Sequence, residues 1–596
     1  MKYKILPILI CIPLLFISCA QPNSNLNGAV SSTSRIASQV GIDILKQDGN
    51  AFDAIVATGF ALAVTSPANG NLGGGGFLTA RTADGNLVSL DFREKAPELS
   101  YEKMFLDSEG NYVRELALFS HISAGVPGTV NGLIKIFNDY GSGNFTLAEI
   151  IQPAIDLAEQ GFPLEENAAY GFDNNKKYFV QDSGSNEIFV KNTNNEVDFL
   201  IQQFKNNSIT QEEYENKLSE INEWETGDIF IQKDLAETLK RISKNGVDGF
   251  YKGETARLII EEMRKNNGFI SIEDLKNYDS VYREPIVGTY REHTIVSMGP
   301  PSSGGALLVQ MLNMLENYEL QNIGRNSTEF VHLLTEIQRL AYADRAVHLG
   351  DPDFWKNPID MLISKEYANE RLKLISHDKA TSSTEIAAGN EYKESMETTH
   401  YSAMDKNGNT AGITTTINFS YGNKKIVDGA GFLLNNEMDD FSSKPNVPNA
   451  FGLIGGEANA IEPFKRPLSS MSPTLIVDKN GQTILTVGAA GGSRIITAVL
   501  QIIISVIDHN LNIQEAMDVG RTHSQWLPDL IFYEKNALTK ETIDELKLLN
   551  HSFYKNDNLP GNYYLARTHG IQRKNGIFIT GADKRGKQNG NEAITY

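Results

Sequence analysis

Cysteine is nearly absent from this chain of 596 residues, which has only Cys11 and Cys19. Two cysteines build no disulfide framework, so stability must come from packing. Basic residues are also in deficit, with 54 Lys and Arg against 74 Asp and Glu and a formal charge of -20. A nucleic-acid backbone needs clustered Lys and Arg, so that class of partner is excluded. No apolar run reaches the roughly 20 residues that span a bilayer. There is no His-Glu-x-x-His, no glycine fingerprint behind a predicted strand, no Gly-Lys-Ser/Thr ending and no internal repeat. Neither a metal nor an organic cofactor is implied. What remains, 41% hydrophobic and 21% charged residues, is the composition of a globular protein with one large core or several.

The N-terminus "MKYKILPILICIPLLFISCAQPN" carries Lys2 and Lys4, an apolar run interrupted by Pro7 and Pro13, then Ser18 and Cys19. This is the pattern of an export signal. "FISC" resembles a bacterial lipobox, which implies a signal peptide over 1–18 and lipidation of Cys19; a cleaved signal without lipid is the alternative. The expected location is the periplasm or cell surface, with the membrane reached only through the lipid. Residues 19–33, polar and rich in Ser and Asn, read as a tether.

Ordered structure is expected from about Ser34. There Ile36, Val40 and Ile44, with Ala37, Gly41 and Leu45, share a helical face, and Gly49 supplies a stop. A more apolar helix follows over about 51–64, then a hairpin with strands near 77–82 and 87–92 around Asp84-Gly85. The region from about 100 to 390 reads as mainly helical, and 173–225, rich in Asn, Lys and Glu, as an exposed insertion. From 398 the pattern turns to strands, at 399–404, 410–418, 474–478 and 483–488. "GAAGGSR" then leads into the apolar helix "IITAVLQIIISVID". Helices on both faces of largely antiparallel sheets are expected.

Several stretches could carry chemistry. "ETTHYS" either opens a strand or marks a cut that leaves Thr398 with both a hydroxyl nucleophile and a free amine as base. In "DFRE", Arg93 could grip a carboxylate with two parallel hydrogen bonds or form a surface ion pair. "PLSSMSP" offers hydroxyls at Ser469 and Ser470, or a turn between prolines. "NNEMDD" offers acceptors for an ammonium at Glu437 and Asp440, or a solvated turn. "AAGGSR" presents Gly491 and Gly492 before a helix, suited to an oxyanion, a phosphate or a plain tight connection. The histidines, including His400 and His523, show no metal-ligand spacing and read as structural or interfacial.

Together "TTHYSAMDKNGN", "LLNNEMDDFS", "KRPLSSMSPT" and "GGSRIIT" resemble the small subunit of gamma-glutamyltransferases, also called glutathione hydrolases. "GGGGFLTARTADGNLVSLDFREKAP", "VPGTVNGL", "DGFYKGETA", "GPPSSGGALLVQMLNMLE" and "LAYADRAVHLGDPDF" are similar to the large subunit, so the resemblance runs from about residue 28 to the C-terminus. It implies a four-layer αββα N-terminal nucleophile hydrolase fold, and a precursor that cleaves itself between Glu397 and Thr398. The products would be a large subunit of 34–397 and a small one of 398–596, associated as a heterodimer. By the same resemblance Thr398 is the nucleophile and Thr416 its hydroxyl partner, while Gly491 and Gly492 hold the oxyanion. Arg93, Ser469 and Ser470 bind the α-carboxylate of the donor, and Asp440, assisted by Glu437 and Asn418, binds its α-ammonium. The segment between "DDFS" and "RPLSS" resembles a lid, with Phe451 where some relatives have Tyr; without that hydroxyl the lid would be held by packing alone. Glutathione or another γ-glutamyl compound is the implied donor, with water, amino acids or dipeptides as acceptors. A poly-γ-glutamate depolymerase, an amidase resembling cephalosporin acylase and an uncleaved binding protein on the same scaffold are the alternatives.

Overall fold

The computed structural model describes residues 27–191, 196–221, 224–383, 398–443, 456–554, 564–588 and 590–596. Cys19, Glu397 and Phe451 lie outside the described residues.

Two antiparallel sheets are stacked at the centre. In the seven-stranded sheet the order is Ile594–Thr595, Gly28–Ser31, Thr399–Asp405, Thr410–Thr416, Gly75–Arg81, Leu87–Asp91 and Val281–Tyr282. The six-stranded sheet runs Ile577–Ala582, Arg567–Lys574, Thr483–Ala490, Thr474–Val477, His293–Ser297 and Ile286–Tyr290. Strand Thr410–Thr416 is rich in β-branched residues, and it and its partner Thr399–Asp405 are buried along their whole length, because a sheet lies on one face and helices on the other. Their turn is fixed by Asp405, whose Oδ1 accepts the amides of Asn407 at 2.9 Å and Asn409 at 3.0 Å. Small polar residues tie sheet to sheet, as where Ser402 Oγ meets Thr486 Oγ1 at 3.1 Å.

Helices form the two outer layers. Arg35–Lys46 starts at Ser34, whose side chain accepts the Ala37 amide, and Ala51–Thr65 starts at a capping box made by Asn50 and Asp53. The second is apolar all round and fully buried, resting on the strands that follow Thr398. On the far side Gly304–Leu315, Thr328–His348 and Arg494–Ile507 build a second core over the six-stranded sheet. The layers are therefore αββα, as expected.

Two expectations are corrected. The tether does not extend to residue 33: Gly28–Ser31 is a buried strand that pairs with Thr399–Asp405 on one side and Ile594–Thr595 on the other. Nor is 173–225 exposed throughout: residues 196–220 are mostly exposed, but the segment is anchored in the core. It carries helices Ser183–Phe189, Glu196–Lys205 and Gln211–Ser219 and the end of Glu166–Phe179. Phe172, Phe179 and Phe189 pack around Tyr421, with ring centroids 5.1 to 5.9 Å from it. Burying aromatic rings at wide spacing anchors a segment whose remaining residues are polar.

Candidate active site

Thr398 stands immediately before strand Thr399–Asp405 and is only 5% exposed. The ladder pairs Thr399 with Thr415, so its next step sets Thr416 across from Thr398. Asn69 Nδ2 donates to the Thr398 carbonyl at 3.4 Å, tying the start of this strand to the loop after the buried helix. Around Thr398 lies a cleft of about 330 Å³ whose walls include Arg93, Thr416, Asn418, Glu437, Asp440, Ser469, Ser470 and Gly492. Residues separated by up to 399 positions in sequence are thus brought to one place; Gly491 alone among the described candidates does not line it.

The strand of Thr416 ends with it. Asn418 has φ +70, a left-handed conformation that Asn tolerates better than most residues, and its amide N-H donates to Thr416 Oγ1 at 2.8 Å. The strand expected over 410–418 therefore stops at Thr416, and a turn, not the strand pleat, brings Asn418 to the cleft. Its side-chain Nδ2 donates to the Asn436 carbonyl at 2.9 Å, which leaves the amide oxygen as the end suited to an ammonium.

Arg93 is fully buried just beyond strand Leu87–Asp91, its backbone amide held by Asp91 Oδ1 at 2.9 Å. One terminal nitrogen of its guanidinium donates to Glu437 and the other to Asp440, while Glu94 Oε2 lies 3.6 Å from Nη1. Three carboxyl groups thus surround one guanidinium. Burial works against the Arg93 charge, but Glu437, Asp440 and Glu94 outweigh it and hold the group firmly protonated. Burial pushes the Glu94 carboxyl up to about 7 and Glu437 well above the usual carboxylate range, with Arg93 opposing in both. Asp440 is raised in the same way, again against the pull of Arg93.

Ser469 and Ser470 line the same cleft, just past Pro467, whose carbonyl accepts from Arg93 Nε at 3.3 Å. The Ser469 amide donates to the Pro301 carbonyl and its carbonyl accepts the Ser303 amide, both at 2.8 Å, so "GPPSSGG" supports "PLSSMSP". Sequence reasoning missed Ser303, Asn459 and Arg345. Asn459 bridges the acidic and serine segments by donating to the Asp440 carbonyl at 2.7 Å and accepting the Leu468 amide at 2.9 Å. Arg345 lines the cleft and donates to Ser303 Oγ at 2.9 Å.

Strand Thr483–Ala490 turns sharply into helix Arg494–Ile507 through Gly491 and Gly492, with φ +145 and +56. Both values fall in the region that favours glycine. The amides of Arg494 and Ile495 already bond the Gly491 and Gly492 carbonyls at 3.1 and 3.2 Å, fixing the turn.

His400 bonds Thr414 and Ser402, each at 2.9 Å, and His523 bonds Thr497 at 2.8 Å, consistent with structural roles. One trio of metal-type donors converges among the described residues, His332, Glu336 and His551. Its imidazoles bond each other at 2.7 Å, and Glu336 pairs with Arg339. None of the three lines the cleft.

A stacked αββα sandwich with a threonine at the head of a central strand, flanked by its cleft, defines the class of N-terminal nucleophile hydrolases. Cephalosporin acylase from Bacillus halodurans shares this fold, with a TM-score of 0.76 over 99% of both chains at 24% identity. The chain belongs to the gamma-glutamyltranspeptidase family, which it matches over residues 37–223 and 197–593. It is 45% identical to the glutathione hydrolase proenzyme of Escherichia coli (strain K12) over 523 residues, 88% of this chain and 84% of that one. The Bacillus subtilis (strain 168) glutathione hydrolase proenzyme is 33% identical, across 94% of this chain and 90% of its own. Among solved structures, Helicobacter pylori gamma-glutamyltranspeptidase is 40% identical with a TM-score of 0.55, covering 62% of this chain and 97% of that one.

Proposed function

We propose that this protein is an exported, self-cleaving gamma-glutamyltransferase acting on glutathione or related γ-glutamyl compounds. The observation that carries this reading is the convergence of Thr398, a buried guanidinium, a carboxyl pair and two serines on one small cleft. A γ-glutamyl group presents a carboxylate and an ammonium on one carbon, and this site offers complementary charge to each.

Cleavage between Glu397 and Thr398 gives the small subunit of 398–596 a free α-amine, which titrates at about 7.7 to 8.0 in model peptides and so serves as a base near neutral pH. Thr398 Oγ attacks the γ-amide carbonyl while its proton passes to that amine. The carbonyl oxygen takes up the negative charge opposite the backbone N-H groups of the Gly491-Gly492 turn. Collapse breaks the C-N bond, and the leaving amine receives the proton. The γ-glutamyl ester on Thr398 then passes its acyl group to water or to an amino acid or dipeptide. Arg93, Ser469 and Ser470 orient the α-carboxylate; Asp440, Glu437 and the Asn418 oxygen hold the α-ammonium; Thr416 steadies the nucleophile's hydroxyl. A lid containing Phe451 would close the cleft by packing alone. Tyr substituted there is expected to slow lid opening, and unchanged turnover and lid mobility in Phe451→Tyr would count against it. The export signal and the lipid on Cys19 would place the enzyme in the periplasm or at the cell surface, anchored to the membrane through the lipid.

Release of nitroaniline from a γ-glutamyl anilide, with and without an acceptor dipeptide, tests the activity. Absence of release by the wild-type protein, or its persistence in Thr398→Ala, would refute the reading.

A further inference from the structure

The cleft holds two guanidinium groups, and only Arg93 has been given a task. Both of its arms are committed, to Glu437 and to Asp440, and Glu94 stands close by. A substrate carboxylate approaching that cluster meets three acids and one base. Arg345 enters the same cleft from helix Thr328–His348 and is only 4% exposed. Its Nε donates to Ser303 Oγ at 2.9 Å and its Nη2 reaches Ser470 Oγ at 3.5 Å. Among the described residues no carboxylate lies within ion-pair distance of it. Among the described residues it has only hydroxyls as hydrogen-bond partners, an expensive setting for a buried cation, and burial accordingly holds its pKa down to about 10, with Tyr342 and Asp440 opposing.

Charge balance gives that expense a purpose. A bound γ-glutamyl group adds one carboxylate and one ammonium to Glu94, Glu437, Asp440, Arg93 and Arg345. Burial favours a proton on one of the acids. Three negative groups then face three positive ones, and Arg345 is needed to make up the third. Without it the loaded cleft keeps one unbalanced negative charge away from water.

We propose that Arg345 is a specificity-determining residue for the donor's α-carboxylate, supplying the uncommitted positive charge and setting the direction of the Ser470 hydroxyl. This rests on the γ-glutamyl reading of the cleft. Arg345 is a positioning residue in that it acts through Ser470 and through its field, away from the bond being broken.

The test compares two anilide donors, γ-glutamyl and 4-aminobutyryl, which differ only in the α-carboxylate, on the wild-type protein, Arg345→Met and Arg345→Lys. In Arg345→Met the KM for the γ-glutamyl donor should rise about 10- to 100-fold, the range of one charge-assisted hydrogen bond, with kcat little changed. The KM for the aminobutyryl donor should stay as in the wild type, and Arg345→Lys should recover part of the loss. Appearance of the two subunits on denaturing gels reports correct folding of each variant. Equal losses on both donors, or failure of both variants to mature, would make Arg345 a structural residue and overturn the inference. A wild-type protein inactive on the γ-glutamyl donor overturns the underlying reading as well, so the two failures are distinguishable.

Discussion

The side chain of Asn459 donates to the backbone carbonyl of Asp440 at 2.7 Å. Its oxygen accepts the Leu468 amide, so this side chain, beside the Arg93 bond to Pro467, ties the acidic segment of the cleft to the one that carries the serines. Asn459→Ala removes both bonds from a buried position. It should raise the donor KM about tenfold, as loss of one or two hydrogen bonds of about 1 kcal/mol each implies, while maturation continues. Steady-state kinetics on the cleaved protein checks this; an unchanged KM would mean the two segments are held in place without Asn459.

Thr398→Ala should leave a single uncut band, near the full 65.8 kDa less any signal peptide, on denaturing gels and reduce anilide hydrolysis about a thousandfold or more, since the proposed nucleophile is removed and, without the cut, the proposed base is never freed. Serine at the same position keeps both groups and should restore cleavage and part of the rate.

Arg93→Lys keeps a charge but cannot serve Glu437 and Asp440 with two parallel bonds. One acid would be left buried without its partner. The expected result is a donor KM raised about 100-fold or more, measured beside Arg345→Lys, whose effect should be smaller.

The Glu94 carboxyl is pushed up to about 7 by burial, against the pull of Arg93. Its folded-state pKa is raised, so the folded protein binds this proton more tightly than the unfolded chain does. That contribution to stability is present at low pH and fades as pH rises from about 4.5 towards about 7. Glu94→Gln cannot lose a proton. Its melting temperature relative to wild type should therefore improve by a few degrees between pH 5 and pH 8, as scanning calorimetry would read. A difference independent of pH would count against a buried, titrating Glu94.

Gly492→Ala places a Cβ on a residue at φ +56, which costs about 1 to 2 kcal/mol. On the proposed oxyanion role of this turn, kcat should fall about 100-fold or more with KM less affected. Equal kcat in the variant would remove this turn from the oxyanion site.

Much of this was legible in the sequence because it is local. The hairpin that starts at Thr399, the capped helices and the glycine turn each announce themselves through neighbouring residues. Strand pair Ile286–Tyr290 and His293–Ser297 was hidden inside a region read as helical, because its turn at Arg291-Glu292 carries no glycine or asparagine. The pair Arg567–Lys574 and Ile577–Ala582 did carry a signal, Asn575-Gly576, both at positive φ. The aromatic anchors of 173–225 were invisible for another reason: their partner Tyr421 lies more than 200 residues away. Arg345 escaped although it sits in a stretch similar to the large subunit, since nothing in that stretch marks a cleft wall, and Asn459 escaped likewise.

The pairing order of the central sheet gives the proposed cut an unusual outcome. Gly28–Ser31 lies between Thr399–Asp405 and Ile594–Thr595, and Thr410–Thr416 lies against Gly75–Arg81. Strand Thr474–Val477 joins His293–Ser297 in the other sheet. The two products are therefore laced through one another at four seams. Severing the backbone changes which atoms are covalently joined and leaves every ladder in place. The uncut chain assembles these seams as a single tethered molecule, at high local concentration; two separated fragments would have to find all four by collision. Once cut, the protein could rebuild these seams only through encounters between separate chains, so its lifetime rests more on how slowly it comes apart.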